Sequence, residues 1–242
     1  MKLAESIYKK NIRPIISRTI HRGLRRAYYS IRPYKLPEKQ KRLAREQRHS
    51  FLEGVPNSLP ENHISTLEVV SDRISLLNRL PEKGRVAELG VDEGDFSEKI
   101  FTHNFPDKLY MVDVWASDRY NKSKMKKVKK RFSEEIKSGT ASVIRSTSNE
   151  WLRKMDNDTL DWVYIDTSHT YEQTKIELQL SRKKVKINGL IAGHDYCSGN
   201  IPNQMNYGVI PAVHEFCVQY GWRIKYLTLE TNGYRSFVLE KI

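Results

Sequence analysis

From Arg85 onward the chain alternates strand-like apolar runs with helical patterns, and no other feature narrows its possible folds as far. The runs are Arg85–Gly90, Leu109–Val114, Ala141–Arg145, Leu160–Asp166 and Leu190–His194. Helical periodicity fills the gaps at about 95–103, 123–137, 148–155, 171–183 and 209–220. Such alternation predicts a doubly wound, Rossmann-like α/β sheet, mostly parallel, with helices on both faces. The rhythm changes at the end. Trp222–Leu229 and Tyr234–Glu240 are two strand-like runs joined by Glu230-Thr231-Asn232-Gly233. Asn-Gly between such runs favours a tight hairpin, so the sheet is expected to close with an antiparallel pair.

The segment before Arg85 divides by composition. Residues 54–64 are rich in Gly, Pro, Asn and Ser and read as a linker, and residues 66–79, with Leu67, Val70, Ile74, Leu76 and Leu77, read as a lead-in helix. The expected organisation is an N-terminal helical extension in the form of a basic arm at 1–53, a linker and lead-in helix at 54–80, and the α/β domain at 81–242. Charge separates arm from body. The net charge is +13, but residues 1–50 hold 15 Lys and Arg against 3 Asp and Glu, leaving 27 against 26 for the rest. In the arm, Ile16, Ile20, Leu24, Tyr28 and Ile31 form one stripe, with Arg18, Arg22, Arg25 and Arg26 mostly off it. A basic amphipathic helix suits an anionic membrane surface, a subunit interface or RNA. The nearly neutral body argues against an enzyme built to grip nucleic acid along its length. No stretch reaches the ~20 apolar residues of a membrane span, and the first residues lack the apolar run of a signal peptide. The expected location is cytoplasmic. Cys197 and Cys217 form no spaced ligand set.

The stretch Val86-Ala87-Glu88-Leu89-Gly90-Val91-Asp92-Glu93-Gly94-Asp95-Phe96-Ser97 runs a buried strand into a glycine loop and then into a helix. Glycine lets the backbone turn tightly and approach a ligand, and a helix start offers unpaired amides to an anion. A nicotinamide site would want Gly-x-Gly-x-x-Gly, whereas Asp92 and Asp95 stand where its later glycines belong. Acidic residues here would repel a pyrophosphate and suit a cationic cofactor.

Glu88-x-Gly90-x-x-x-Gly94 resembles the first motif of class I methyltransferases, whose methyl donor, S-adenosylmethionine, carries a sulfonium and an ammonium. Asp113, at the end of the next strand, matches that family's acidic residue for the ribose hydroxyls; a carboxylate there accepts two hydrogen bonds from a diol. The resemblance implies a cofactor site drawn from Glu88, Gly90, Gly94, Phe96, Ser97, Asp113, Trp115 and Asp166, with Ser146 and Ser148 bordering the adenine. Thr147 and Glu150 also form a capping box, a purely structural use of that region.

Two further strands end in an acid beside a histidine: Ile165-Asp166-Thr167-Ser168-His169 and Gly193-His194-Asp195-Tyr196. Ligands in open α/β sheets sit beyond the carboxyl ends of the strands. Neighbouring strands lie ~4.8 Å apart, which would bring Asp166 and Asp195 to one small space. Two such carboxylates repel unless a proton or cation lies between them, and a hard divalent ion such as Mg2+ fits oxygen ligands. Asp166 and Asp195 are thus the candidate metal ligands, and Asp166, His169, His194 and Asp195 the candidate catalytic set.

This pair of motifs is similar to a branch of class I methyltransferases that includes O-methyltransferases acting on sugars of antibiotics and surface polysaccharides. The resemblance spans roughly residues 80–240. It implies methyl transfer to a hydroxyl of a small-molecule or glycan acceptor, with His169 or His194 taking the proton and a metal assisting. It also places the arm at the inner membrane, with self-association into a homo-oligomer as the other use of that helix. Departing from the branch, His194 occupies the place of a second acid beside Asp195. Prolines after Asp166, expected of enzymes that methylate nucleic-acid bases, are absent. Readings of other classes are a non-catalytic nucleotide-binding module, an RNA-directed methyltransferase using the arm, and a hydrolase or oxygenase with a histidine–carboxylate metal site. The run Lys122–Arg131, with seven basic residues, is expected to be a solvated helix face or a contact for an anionic acceptor.

Overall fold

The computed structural model describes residues 53–200 and 205–242, so the expected basic arm lies outside the described residues except for its last position. In chain order the elements are β1 (Glu68–Val70), α1 (Arg73–Leu77), β2 (Arg85–Leu89), α2 (Asp95–Asn104), β3 (Lys108–Asp113), α3 (Lys122–Arg131), α4 (Ser133–Lys137) and β4 (Ala141–Arg145). They continue with α5 (Ser148–Lys154), β5 (Leu160–Ile165), α6 (Tyr171–Lys184), β6 (Val185–Gly193), β7 (Gly199–Asn200), β8 (Met205–Asn206), α7 (Val209–Tyr220), β9 (Trp222–Thr228) and β10 (Phe237–Lys241).

The main sheet has the order β1-β9-β10-β6-β5-β2-β3-β4. Neighbours from β6 to β4 run parallel, and β10 lies antiparallel between β6 and β9. This is the mostly parallel, Rossmann-like sheet expected from the alternation. The chain leaves β2 for β3 and β4 on one side, then returns to β5 and β6 on the other. The reversal opens a crevice over the carboxyl ends of β2 and β5, where ligands bind in such sheets.

Strand periodicity divides the core between the two faces. On β5, Trp162 and Tyr164 point to one face with Val86, Met111 and Ala192, while Val163 and Ile165 point to the other with Ala87, Leu89 and Ile191. Burying each large apolar side chain stabilises the fold by about 1.5–3 kcal/mol. Side-chain caps start the helices where the chain must turn. Asp72 caps α1, Asn121 caps α3, Thr147 caps α5 and Thr170 caps α6.

The structure corrects three expectations. The lead-in helix at 66–79 is instead an edge strand and a short helix. Glu68-Val69-Val70 pair in parallel with Tyr226–Thr228 of β9, and only Arg73–Leu77 is helical, because Asp72 caps it from extended backbone. A free sheet edge outcompetes the modest helix propensity of β-branched Val69 and Val70. The closing hairpin is wider than a two-residue turn. Gly233 does turn the chain, at φ 80° with its N–H on the Glu230 carbonyl, but the strands stop at Thr228 and resume at Phe237. Thr228 Oγ1 accepts from the Ser236 N–H at 2.7 Å and bonds Glu230, stabilising the open loop. Finally, the helix expected at 123–137 divides into α3 and α4 at Phe132.

No helix among the described residues is long and apolar enough to cross a membrane.

Candidate active site

The glycine loop is built by close backbone approach. Gly90 has φ 95°, and a Cβ there would stand 1.9 Å from the Asp166 carbonyl oxygen. Its N–H bonds the Val112 carbonyl, and the Asp166 N–H bonds that of Leu89. The loop therefore rests against the tips of both β3 and β5. Gly94, at φ 81°, caps α2 with its missing side chain facing the Phe132 ring.

Asp113 closes the other side. Its carboxylate accepts the Asp92 N–H at 2.9 Å and the Trp115 N–H at 3.0 Å, and the Trp115 indole donates to the Asp92 carbonyl at 3.0 Å. A carboxylate has about four lone-pair sites, so both oxygens retain capacity for a diol. Trp115 is 1% exposed and serves the site as a brace of this loop rather than as a lining ring. Glu88 and Ser97 also turn inward. Glu88 is 1% exposed and accepts the Ser97 hydroxyl. Burial foremost pushes its carboxyl up to about 8, so it is mostly protonated at neutral pH and ties β2 to the first turn of α2. Phe96 packs on Tyr164 at 4.3 Å between centroids.

Ser148, expected at the adenine, is buried and donates to Glu177. Glu177 also receives Thr167 and Gln173, each at 2.8 Å. This network ties α5 and α6 to the loop after β5. Ser146 remains accessible and donates to the Thr147 carbonyl.

The β5 and β6 tips are adjacent, as Ile165 pairs with Gly193. Asp166, His169 and Asp195 each offer a ligand atom, all within 4.8 Å of one another. His169 Nδ1 stands 3.1 Å from Asp195 Oδ2, and His194 Nε2 stands 3.9 Å from Asp195 Oδ1. Thr170, not His169, caps α6, which leaves the imidazole free of that structural duty. Burial, reinforced by the neighbouring Asp195 charge, raises the Asp166 carboxyl to about 7. Burial raises Asp195 to about 6, against the opposing pull of Arg73. Both imidazoles move down, His169 to about 4 through burial and Arg119, and His194 to about 3 through burial, Arg73 and His169. Both are neutral at pH 7 and are weaker bases than a free imidazole.

Backbone strain collects here. Of the seven non-glycine residues with positive φ among those described, Asp92, Trp115, His169 and Asp195 belong to this site. Each costs on the order of 1–3 kcal/mol, held in place by contacts such as the Gly208 N–H on the His169 carbonyl at 2.8 Å. A small cavity lined by Ile165, Thr167, Thr174, Val209 and Phe237 opens behind His169 and His194.

Two findings were not visible in the sequence. The basic run on α3 turns toward the glycine loop: Lys124 pairs with Asp92 and Glu93, and Arg131 with Asp95 and Glu98. The acidity of the loop is thus locally neutralised, which weakens the expectation that its charge alone selects a cation. Second, Arg73 and Tyr164 reach the site. Tyr164 OH lies 2.8 Å from Ser236 Oγ, which lies 3.2 Å from His194 Nδ1.

Residues 87–196 match the sequence family described as a methyltransferase domain. The chain is similar in fold to an S-adenosylmethionine-dependent methyltransferase from Aquifex aeolicus (TM-score 0.53, 13% identity, 80% of this chain and 98% of that one). It is likewise similar to an rRNA methylase from Streptococcus thermophilus (TM-score 0.51, 15% identity, 70% and 94%). It spans about half the length, 54%, of a spermidine synthase solved with a transition-state analogue (TM-score 0.46, 18% identity, 68% of this chain). No curated protein matches the sequence. The fold and the matched domain make this chain similar to class I methyltransferases, enzymes that take their methyl group from S-adenosylmethionine.

Proposed function

We propose that this enzyme methylates a hydroxyl oxygen, that of a sugar in a surface glycan or secondary metabolite. One observation carries the reading: Asp166, His169 and Asp195 converge within 4.8 Å at the strand tips, beside the loop suited to the donor. The donor's sulfonium carbon is already an electrophile, so alignment supplies much of the rate. The acceptor oxygen attacks the methyl carbon, the carbon–sulfur bond breaks with its electron pair going to sulfur, and S-adenosylhomocysteine leaves. The hydroxyl proton passes to a neutral imidazole. His169 suits this role, with Asp195 fixing its Nδ1 and leaving Nε2 as the acceptor. Asp113 holds the ribose.

The three side chains also fit a divalent cation. The 3.1 Å spacing between His169 and Asp195 atoms matches one edge of an octahedral ligand set, and Asp166, raised by burial first and by the Asp195 charge second, offers a third ligand atom within 4.8 Å. When bound, such an ion would lower the acceptor hydroxyl's pKa as a Lewis acid. Two carboxylates alone suit Mg2+. A histidine nitrogen beside them also admits Mn2+ and borderline ions such as Fe2+ or Zn2+.

The test is incubation with radiolabelled S-adenosylmethionine and cell-envelope glycan intermediates, with and without chelator. Transfer that is lost with chelator and restored by Mn2+ or Mg2+ supports the metal. Transfer indifferent to chelator assigns the proton to the His169–Asp195 pair alone. Asp195→Ala is expected to bind donor normally and lose transfer by about 100-fold or more; normal turnover in that variant sinks the reading. The arm's charge leads us to place the enzyme at the anionic inner membrane, where glycan intermediates are carried on lipid.

A further inference from the structure

Arg73 is the buried-site cation that the mechanism leaves without a task. It opens α1, whose position is set by the Asp72 cap, the buried Leu76 and Leu77, and the Asn104 side-chain amide on the Leu77 and Leu80 carbonyls. The half-buried guanidinium lies over the Phe96 ring, 5.1 Å from its centroid, and beside the Tyr164 hydroxyl. It faces Asp166 and Glu230 electrostatically. Among the described residues, no carboxylate oxygen lies within 4.0 Å of its nitrogens. Burial opposes its charge while the Tyr164 hydroxyl, Asp166 and Glu230 sustain it, and its planar fork matches a carboxylate with two parallel hydrogen bonds.

Its location tells which carboxylate. Asp113 marks the ribose end at the tip of β3, the glycine loop follows at β2, and Asp166 stands at β5. These strands are consecutive in the sheet, so β3 to β5 spans about 10 Å. A donor laid across them with its ribose at Asp113 puts the sulfonium over the glycine loop and its amino-acid end toward β5 and α1. Resting on that donor reading, we propose that Arg73 binds the α-carboxylate of the methionine moiety and so selects the intact donor over analogues lacking that group. Phe96 serves as the flat support that holds the guanidinium in plane, and the neighbouring Asp166 suits the ammonium of the same end.

Calorimetry on the full chain tests this with two probes. S-adenosylhomocysteine keeps the amino-acid end; 5′-methylthioadenosine keeps the nucleoside and sulfur but lacks that end, carboxylate and ammonium alike. Arg73→Met is expected to weaken S-adenosylhomocysteine by about 10- to 100-fold, the worth of a charged hydrogen-bonded contact, and to leave 5′-methylthioadenosine unchanged. Arg73→Lys falls between, since it keeps the charge and loses the fork. Unchanged S-adenosylhomocysteine affinity in Arg73→Met, or equal loss of both probes in a folded variant, overturns the assignment. Wild type alone provides a check that needs no variant: it must bind S-adenosylhomocysteine more tightly than 5′-methylthioadenosine, and equal affinities overturn the assignment while the nucleoside site stands. Wild type that binds neither probe overturns the donor reading as well.

Discussion

At the scale of single residues, the acids of this site divide by surroundings. Glu88 sits among apolar neighbours with the Ser97 hydroxyl as its partner, and burial foremost raises it from 4.5 to about 8. The folded chain therefore keeps a proton that the unfolded chain releases near 4.5. Stability from this proton is complete below 4.5 and is lost as pH rises through 8, on the order of 4 kcal/mol by that point. Denaturant melts at pH 5 and pH 8 should show the wild type losing more stability than Glu88→Gln; identical losses would rule out a neutral Glu88. Asp113 has the opposite setting, a carboxylate that accepts two backbone N–H groups at the crevice. Asp113→Ala should weaken S-adenosylhomocysteine by about 10- to 100-fold through loss of a charged acceptor, measured by calorimetry. An unaltered affinity would reduce Asp113 to a loop clamp.

At the scale of elements, the site depends on how closely its loops approach. Gly90 allows β2 to pass beneath the Asp166 carbonyl, and any side chain would collide with backbone that cannot swing away. Gly90→Ala should cost about 2–3 kcal/mol through strain at positive φ and overpacking. It should also abolish donor binding; a variant with an unshifted denaturation midpoint would contradict the geometry. The cofactor loop was legible in the sequence because strand, glycines and helix start are consecutive residues. The fate of its acidic side chains was not, since Lys124 and Arg131 come from an element more than thirty positions away. The lead-in segment failed for a related reason. Leu67, Val70, Ile74 and Leu77 keep helical spacing, but Glu68–Val70 found an edge strand to join.

At the scale of the whole molecule, charge is unevenly placed, with 15 basic and 3 acidic residues in the first 50 against near balance after them. Sedimentation with vesicles should show binding to anionic lipid that weakens as salt rises, each basic residue near the surface contributing about 1 kcal/mol. Removal of residues 1–52 should abolish that binding, and retention by the truncated chain would assign it to the body. What the sequence by itself determined are the features encoded by neighbours along the chain: the α/β alternation, the glycine loop, the cap at Thr147, and the two Asp–His strand endings. Only the tertiary structure decided which of these meet. It brought His169 and Asp195 to 3.1 Å, turned Ser148 inward to Glu177, and carried Arg73 from an unremarked lead-in to the Tyr164 hydroxyl. Turns and periodicities follow from local sterics and hydrophobic spacing, whereas the partners of a buried charge depend on strand order, which is settled only when the sheet packs.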